Sequence, residues 1–594
     1  MQFREDIQIL RGLAVTLVVL FHFGFSSVQS GFLGVDVFFV ISGFLMGVLY
    51  NNHKKKEFFL RRAKRLLPAY FFTILTTGLV ALLLVTPNEW QQVVKQIGFA
   101  SFFTSNVGFW FQNSYFSKAE FNPLLHLWSL GVEIQFYMLV PLVYWFASKF
   151  KITTIALAII SMIICLLITT ISPKTSFFML PTRMWEFLVG YLIAFHLTNS
   201  GNVKYKTYSL LKVIPLILIL SIPLFKVNGE SLSFINGHPG LPAIAITLAT
   251  AFILIYGLPS LIVNSFIGKI LLKVGNYSYS IYLVHFPVIV LYNYSPFSGT
   301  TLSVDNNSDL LIIFLIILAL SVLSFNLIEK KKFKLGTISL TYFGLALTMM
   351  LFGSKFQEQS LSTEDIYIAQ VNQDRGYYRC GKMIRLLEPT AKLCDLTPSL
   401  NNYDNSILLL GNSHADSIKD TFVNVAKQHN TKVYFAIENN PLMSGGLKSD
   451  FYLDYAANNK INKIVLHYKK DSIETSELVK LIGSSKNKGI SVYLVEPVPI
   501  YEKNIPKYLY GRDKNELMSL SLKNRTTYMN ENHQVSEFRS ILGNASVAID
   551  DIFCPDNCLL LSPSFKPLYF DGNHLTLSGS KMLRDKFTYI ISQP

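Results

Sequence analysis

Long apolar runs recur from residue 7 to about residue 353, broken by short polar stretches, and none of comparable length follows. A helix that crosses a bilayer needs roughly 20 mostly apolar residues. Windows of that kind begin near residues 7, 32, 66, 127, 152, 181, 211, 241, 277, 309 and 336, which predicts a polytopic α-helical membrane domain of about eleven transmembrane helices. The first window, Ile7 to Phe25, has no small-residue cleavage site and runs straight into a second apolar segment, so it reads as a retained helix and not a secretion signal. Beyond Asn402 the pattern changes. Short apolar runs at Ile407–Leu410, Lys432–Ile437, Ile461–His467, Ile490–Glu496 and Ala545–Asp550 alternate with helix-period segments, which predicts a C-terminal α/β three-layer domain with a parallel sheet. The expected division is a transmembrane domain over 1–353, a linker and ordered extension over 354–400, and the α/β domain over 401–594. Gly353 to Asp374, rich in Gln, Ser, Glu and Asp, reads as linker.

Composition sharpens this picture. The 594 residues are 51% hydrophobic and only 15% charged, with a mean hydropathy of +0.35, too apolar for a soluble protein of this length. The net charge of +15 does not point to nucleic acid, because the cations of the first domain are spread through short loops and form no continuous stripe. With a cytoplasmic N-terminus, the inner loops hold Lys54, Lys55, Lys56, Arg61, Arg62, Lys64, Arg65, Lys149, Lys151, Lys204, Lys206, Lys212, Lys269, Lys273 and the run Lys330 to Lys334. The outer loops hold only Lys95, Lys118, Lys174 and Lys226. The positive-inside rule then places the α/β domain on the outer, periplasmic side. Cys165 lies in an apolar run, whereas Cys380, Cys394, Cys554 and Cys558 lie in the soluble part, a set that suits two disulfides in an oxidising compartment.

Ionisable groups within membrane spans are costly and raise a functional question. Arg11 and His22 lie on the first helix; their eleven-residue spacing puts them on nearly one face, about 16 Å apart. Asp36 enters the second span, His126 and Glu133 the fourth, Arg183 and Glu186 the sixth, and His285 lies within the ninth. Any one of these reads most simply as interhelical glue. As a set they are expected to converge on one buried polar site lining a reaction centre or a pathway, and a transporter would satisfy that argument equally. Arg61, Arg62 and Arg65 crowd the cytoplasmic entrance of the third helix, where they suit the phosphates of a cytosolic donor or anionic lipid head groups.

The membrane part resembles acyltransferase family 3 over nearly its whole length. Arg11 to His22 fits the family's arginine, ten residues, histidine pattern. Gly34-Val-Asp-Val-Phe-Phe-Val-Ile-Ser-Gly43 and Arg61-Arg-Ala-Lys-Arg-Leu-Leu-Pro68 fit the next blocks. His126-Leu-Trp-Ser-Leu-Gly-Val-Glu-Ile-Gln-Phe-Tyr137, Pro181-Thr-Arg-Met-Trp-Glu186 and Tyr277-Ser-Tyr-Ser-Ile-Tyr-Leu-Val-His285 follow in order. The resemblance implies a cytosolic acyl-CoA donor, commonly acetyl-CoA, acting as substrate with no bound cofactor. It also implies essential roles for Arg11 and His22 and outward delivery of the acyl group.

In the α/β domain, Gly411-Asn-Ser-His-Ala415 follows the first strand run directly and Asp571-Gly-Asn-His574 lies near the other end. Ligands of such sheets sit beyond the carboxyl ends of the strands; a serine there needs a base, and the base an orienting acid. Taken alone, Gly-Asn-Ser reads as a turn capping a helix. Its pairing with Asp-x-x-His-Leu resembles the SGNH hydrolase fold, which implies Ser413 as nucleophile, His574 as general base and Asp571 as its partner. Two departures stand out: Asn412 replaces the usual aspartate, and no Gly-x-Asn-Asp block occurs, leaving Gly445 or Gly446 as candidates for an oxyanion donor. Cys554-Pro-Asp-Asn-Cys558 is expected to form a short disulfide bracing the loop before the Asp-x-x-His block; no metal site is expected, since nothing completes a ligand set. Fusions of these two domains resemble bacterial inner-membrane O-acetyltransferases of lipopolysaccharide O-antigen, and related fusions modify peptidoglycan. The histidine after Ser413 favours the O-antigen group. Implied partners are acyl-CoA, a surface polysaccharide or lipid-linked glycan acceptor, and membrane lipids. The rival readings are a transporter with a glycan-binding outer domain and a surface-glycan esterase with an idle membrane anchor.

Overall fold

The computed structural model describes residues 4–112, 120–199, 209–304, 306–381 and 391–593, so Lys118, Lys204 and Lys206 of the loop-charge argument lie outside the described residues. The chain divides into two compact units, Met1–Gln357 and Glu358–Pro594.

The first unit is helical. Its helices are α1 (Glu5–His22), α2 (Gly34–Leu49), α3 (Lys55–Leu84), α4 (Pro87–Ser101), α5 (Ser105–Phe111), α6 (Leu127–Lys149), α7 (Lys151–Thr169), α8 (Pro173–Phe178), α9 (Leu180–Asn199), α10 (Val213–Ser221), α11 (Leu241–Tyr256), α12 (Ser260–Val263), α13 (Phe266–Tyr292), α14 (Asn307–Ser324) and α15 (Leu335–Glu358). Among the described residues, seven helical stretches are long and apolar enough to cross a membrane: those of α2, α3, α6, α7, α13, α14 and α15. The stretches Val213–Leu224 and Leu241–Tyr256 are apolar but shorter. α1 and α9 carry the ionisable residues Arg11, Arg183 and Glu186.

Burial separates the inner helices from the outer ones. The span containing α2 is 72% buried and that of α15 only 11%, so α2 is a wall of the protein core while Leu340, Leu347 and Phe352 of α15 stand exposed as a lipid-facing surface would. α2 and α9 approach closely because Gly43 and Gly190 face each other's backbone; a Cβ would lie 1.9 Å from the Phe187 carbonyl oxygen at Gly43 and 2.0 Å from that of Val40 at Gly190. Small residues are how membrane helices achieve such contact. The sequence pattern had no place for α4, although its start is encoded locally: Thr86 and Glu89 form a reciprocal capping box with Pro87 in the first turn, satisfying amide groups that would otherwise lack partners.

The second unit is built on a six-stranded sheet in the order β1-β3-β2-β4-β5-β6. Its strands are β1 (Leu393–Asp395), β2 (Asn405–Leu410), β3 (Thr431–Ala436), β4 (Lys463–His467), β5 (Ser491–Val495) and β6 (Ser546–Val547). All pairings are parallel except that of β1 with β3. The central strands are apolar throughout because both faces are covered. Leu408, Leu410, Ile464 and Leu466 pack with Tyr452, Leu453, Leu478 and Leu481 of the helices Ser449–Asn458 and Thr475–Asn487. On the opposite face Lys463 donates to the Ile590 and Ile591 carbonyls of the helix Arg584–Ser592, and Phe587 of that helix meets Phe422 of the helix Ser413–Gln428.

The expected linker Gly353–Asp374 is instead largely helical. α15 continues to Glu358, and a further helix, Thr363–Ala369, follows. Ser362 caps it by accepting from the Asp365 amide, and Ile368, Ala369 and Val371 are buried, so polar composition here marks capped surface helix and not free chain. Two disulfides form, Cys380–Cys394 and Cys554–Cys558, and Cys165 is a buried free thiol. The first ties β1 to the segment before it.

Candidate active site

Ser413 opens the helix that leaves β2. The turn between them requires Gly411, where a Cβ would lie 1.9 Å from the His467 carbonyl oxygen at the end of β4. Asn412 caps the helix, its Oδ1 accepting from the amides of His414 at 3.0 Å and Lys469 at 3.3 Å. Both are acceptor tasks, which an amide oxygen performs as a carboxylate would.

His574 Nε2 lies 2.7 Å from Ser413 Oγ, and its Nδ1 lies 2.7 Å from Asp571 Oδ2. Asp571 Oδ1 accepts from the amides of Asn573 and His574, both at 2.8 Å. A carboxylate can only accept, so Nδ1 carries the proton and Nε2 turns its lone pair toward the serine hydroxyl. Burial pushes the Asp571 carboxyl upward, but the His574 ring and the two amides outweigh it and hold it below the usual value. Beneath this row lie two further histidines. The ring of His414 is 4.9 Å from that of His574, and that of His467 is 6.1 Å from that of His414. Burial, the largest cause for each, holds both below the ordinary histidine value, His467 down to about 4, so both are neutral near pH 7.

Of the two oxyanion-donor candidates, Gly446 is otherwise engaged: its amide donates to the Met443 carbonyl at 3.1 Å, closing a tight turn. Among the described residues no group of three or more His, Cys, Asp or Glu is placed to hold a metal ion.

In the helical unit the expected single polar site resolves into separate groups. The first lines a pocket bounded by Arg11, Ser42, Arg62, Arg65, Glu133 and Tyr137 together with apolar side chains. Glu133 accepts from Ser42 Oγ and from the Tyr137 hydroxyl. Arg61 is not in the lining; it is exposed and pairs with Glu57 at 2.5 Å, because one residue along a helix turns the side chain by about 100°.

The second group is histidine-only. His22 Nδ1 lies 3.1 Å from His285 Nε2, and the His126 ring is 5.7 Å from that of His285. His285 Nδ1 faces the carbonyls of Ile281 at 3.1 Å and Tyr282 at 2.8 Å. Carbonyls only accept, so His285 carries its proton on Nδ1, accepts at Nε2 from His22 Nδ1, and leaves Nε2 of His22 as the basic nitrogen of a neutral pair. Tyr282 joins this group to the pocket: it lines the pocket, its hydroxyl lies 2.5 Å from Ser129 Oγ and donates to the His126 carbonyl at 3.0 Å, and its ring is 5.5 Å from His285.

The third group is ionic and fully buried. Arg183 sits 3.2 Å from Asp36 and 3.1 Å from Glu186, and His238 lies 3.8 Å from Asp36.

A family model for an acyltransferase domain matches residues 4–354, and one for an SGNH domain fused to such domains matches residues 379–588. The chain belongs to this acyltransferase family. Similar curated proteins include the O-acetyltransferase OatA of Staphylococcus aureus strain NCTC 8325 / PS 47 and that of strain MRSA252, each 34% identical over 311 residues, covering 48% of this chain and 50% of the relative. The chain thus spans about half the length of the curated relatives it matches. No solved structure matches it. Ser129 and Tyr282 lie inside the acyltransferase family blocks, whose pattern does not mark either as joining the pocket to the histidines. His238 carries no signal in the sequence, as it lies in a loop before α11 with no motif around it.

Proposed function

We propose that this chain is an O-acetyltransferase of the bacterial inner membrane, carrying an acetyl group from cytosolic acetyl-CoA to a sugar hydroxyl of a cell-surface glycan outside. The observation that carries the proposal is the unbroken row Asp571–His574–Ser413, with both links at 2.7 Å, in a chain whose other half matches an acyltransferase domain. Counting α1, α9 and the two shorter apolar helices as spans gives about eleven crossings, with the N-terminus cytoplasmic and the α/β unit periplasmic.

In this reading Arg62 and Arg65 hold the donor's phosphates, Arg11 lines the same pocket, and the thioester lies toward Ser129 and Tyr282, beside the His22–His285 pair. In the outer unit the Ser413 oxygen attacks the acyl carbon while His574 takes its proton. The bond between the acyl carbon and the atom that carried it there breaks, that atom takes the proton from His574, and an ester is left on Ser413. The acceptor hydroxyl then attacks that ester, His574 serves as base again, and Ser413 recovers its proton. Of the two acceptors raised by the sequence, the similarity to the O-acetyltransferases OatA of Staphylococcus aureus supports peptidoglycan better than O-antigen.

The test is ester-linked acetate in isolated peptidoglycan and, separately, in surface polysaccharide, from cells expressing the intact chain, Ser413→Ala, His22→Ala or an empty vector at matched membrane levels. Acetate added only by the intact chain supports the proposal, and the fraction that gains it names the acceptor. Undiminished acetate with Ser413→Ala would make the outer unit a binding module, and no gain over vector would remove the assignment.

A further inference from the structure

Residues 374–380 belong to no strand and to neither motif, yet they touch both arms of the serine site. On the base side, the Asp374 carbonyl accepts from the Leu577 amide at 2.8 Å and its carboxylate from the Ser578 amide at 3.1 Å, three and four residues after His574. The Arg375 guanidinium lies 3.8 Å from the centroid of the Phe570 ring, and Phe570 stacks on His574 with the planes within 6° and the centroids 5.3 Å apart.

On the nucleophile side, the Arg379 amide donates to Asp416 Oδ1 at 2.7 Å, in the first turn of the helix that Ser413 opens. The Arg379 side chain is 1% exposed. It donates to the Gly411 carbonyl at 3.1 Å, to the Ala436 carbonyl at 3.4 Å and to Asn439 Oδ1. All three acceptors are uncharged. Cys380, the next residue, is held to β1 by its disulfide with Cys394. A buried guanidinium with so many ties is costly to place, and burial is the largest influence on it, lowering its affinity for its proton. The Asp416 carboxylate offsets part of that cost, and the ties hold the guanidinium against the turn that carries the nucleophile. Gly411 lies two residues before Ser413, and Asn439 heads the loop in which an oxyanion donor is expected.

We propose that this strap is part of the acyl-transfer site: Arg379 is a positioning residue that fixes the Gly411 turn and the Asn439 loop around the oxyanion, and Arg375 positions His574 through Phe570. The inference rests on Ser413 being the nucleophile proposed above.

The experiment labels the full-length, detergent-solubilised protein with a fluorophosphonate. The Ser413 oxygen bonds to phosphorus, fluoride leaves, and the serine proton passes to His574 and then to solvent. Maximal labelling rate and half-saturating probe concentration are measured separately, alongside the thermal midpoint. Arg379→Met is expected to lower the maximal rate by at least about ten-fold with the half-saturating concentration unchanged, since an oxyanion contact acts only in the transition state. Arg379→Lys is expected to recover part of the loss, and Arg375→Met to slow labelling about three-fold through poorer positioning of the base. Unchanged rates in folded Arg379→Met and Arg379→Lys overturn the proposal. Should Arg379→Met unfold, a wild-type rate in folded Arg379→Lys together with a wild-type rate in Arg375→Met, whose side chain is exposed, overturns it equally. If the unmodified protein labels no faster than Ser413→Ala, it is the serine reading that fails and not the strap.

Discussion

The two histidine centres of this chain are built from different partners. In the α/β unit, His574 is oriented by a carboxylate that is itself held by two amides at 2.8 Å. In the helical unit, His22 is oriented by a second imidazole, which is in turn fixed by backbone carbonyls at 2.8 and 3.1 Å. Both arrangements place the proton on Nδ1 and leave Nε2 basic, yet only one contains a charge. The difference follows from the surroundings. An anion beside an aqueous face is cheaply solvated, whereas within a bilayer an ionised group is costly, and carbonyls and neutral rings direct a tautomer without that cost. Of the buried carboxylates of the helical unit, Asp36 and Glu186 lie within ion-pair distance of Arg183, whereas Glu89 accepts from the Thr86 and Tyr294 hydroxyls and the Phe297 amide.

The largest test of this contrast replaces the neutral partner. His285→Ala removes the acceptor that faces His22 Nδ1 and is expected to lower acetate transfer about a hundred-fold, the usual worth of a well-placed general base, with Ser413 labelling in the same protein unchanged. Equal loss of both signals would show that the variant is misfolded. A smaller effect is expected at the pocket: Arg62→Ala and Arg65→Ala should each raise the KM for acetyl-CoA roughly ten-fold by removing a charged phosphate contact, while Arg61→Ala, exposed and paired with Glu57, should stay within about two-fold. If Arg61 proves the most sensitive, the donor does not enter this pocket.

The mildest effect leaves chemistry untouched. His467 is buried with its pKa depressed to about 4, so the unfolded chain binds this proton more tightly than the folded one. Its stability contribution is complete above the ordinary histidine value near 6.5 and is lost as the pH falls from there through about 4. The thermal midpoint of the outer unit in the full chain should therefore drop by several degrees over that window, and His467→Gln should flatten the drop.

How much of this was legible in the sequence depended on the kind of relation required. Ser413, Asp571 and His574 could be found because each sits in a short motif and the parallel sheet brings its loops to one end. The membrane residues were found as individuals, since an ionisable group in an apolar run is conspicuous, but their grouping was not. Sequence gives the height of a residue along its helix and not which neighbour that helix turns toward, so Asp36 and Glu133, both expected at one site, have different partners. Arg379 was invisible for another reason. A single arginine in a polar stretch carries no periodicity, and β1, which its neighbour Cys380 is tied to, is only three residues long.

The ion pair between Asp36 and Arg183 also imposes an order on the birth of the protein. The two residues are 147 positions apart. At the usual 5–20 residues per second of synthesis, roughly 7 to 30 seconds separate them at the ribosome. During that interval the second helix must hold its carboxyl without the Arg183 guanidinium that later meets it, although an ionised group in the bilayer is costly. Arrival of α9 then ends the wait, and the close glycine contacts of Gly43 and Gly190 supply the surface on which the two helices find each other.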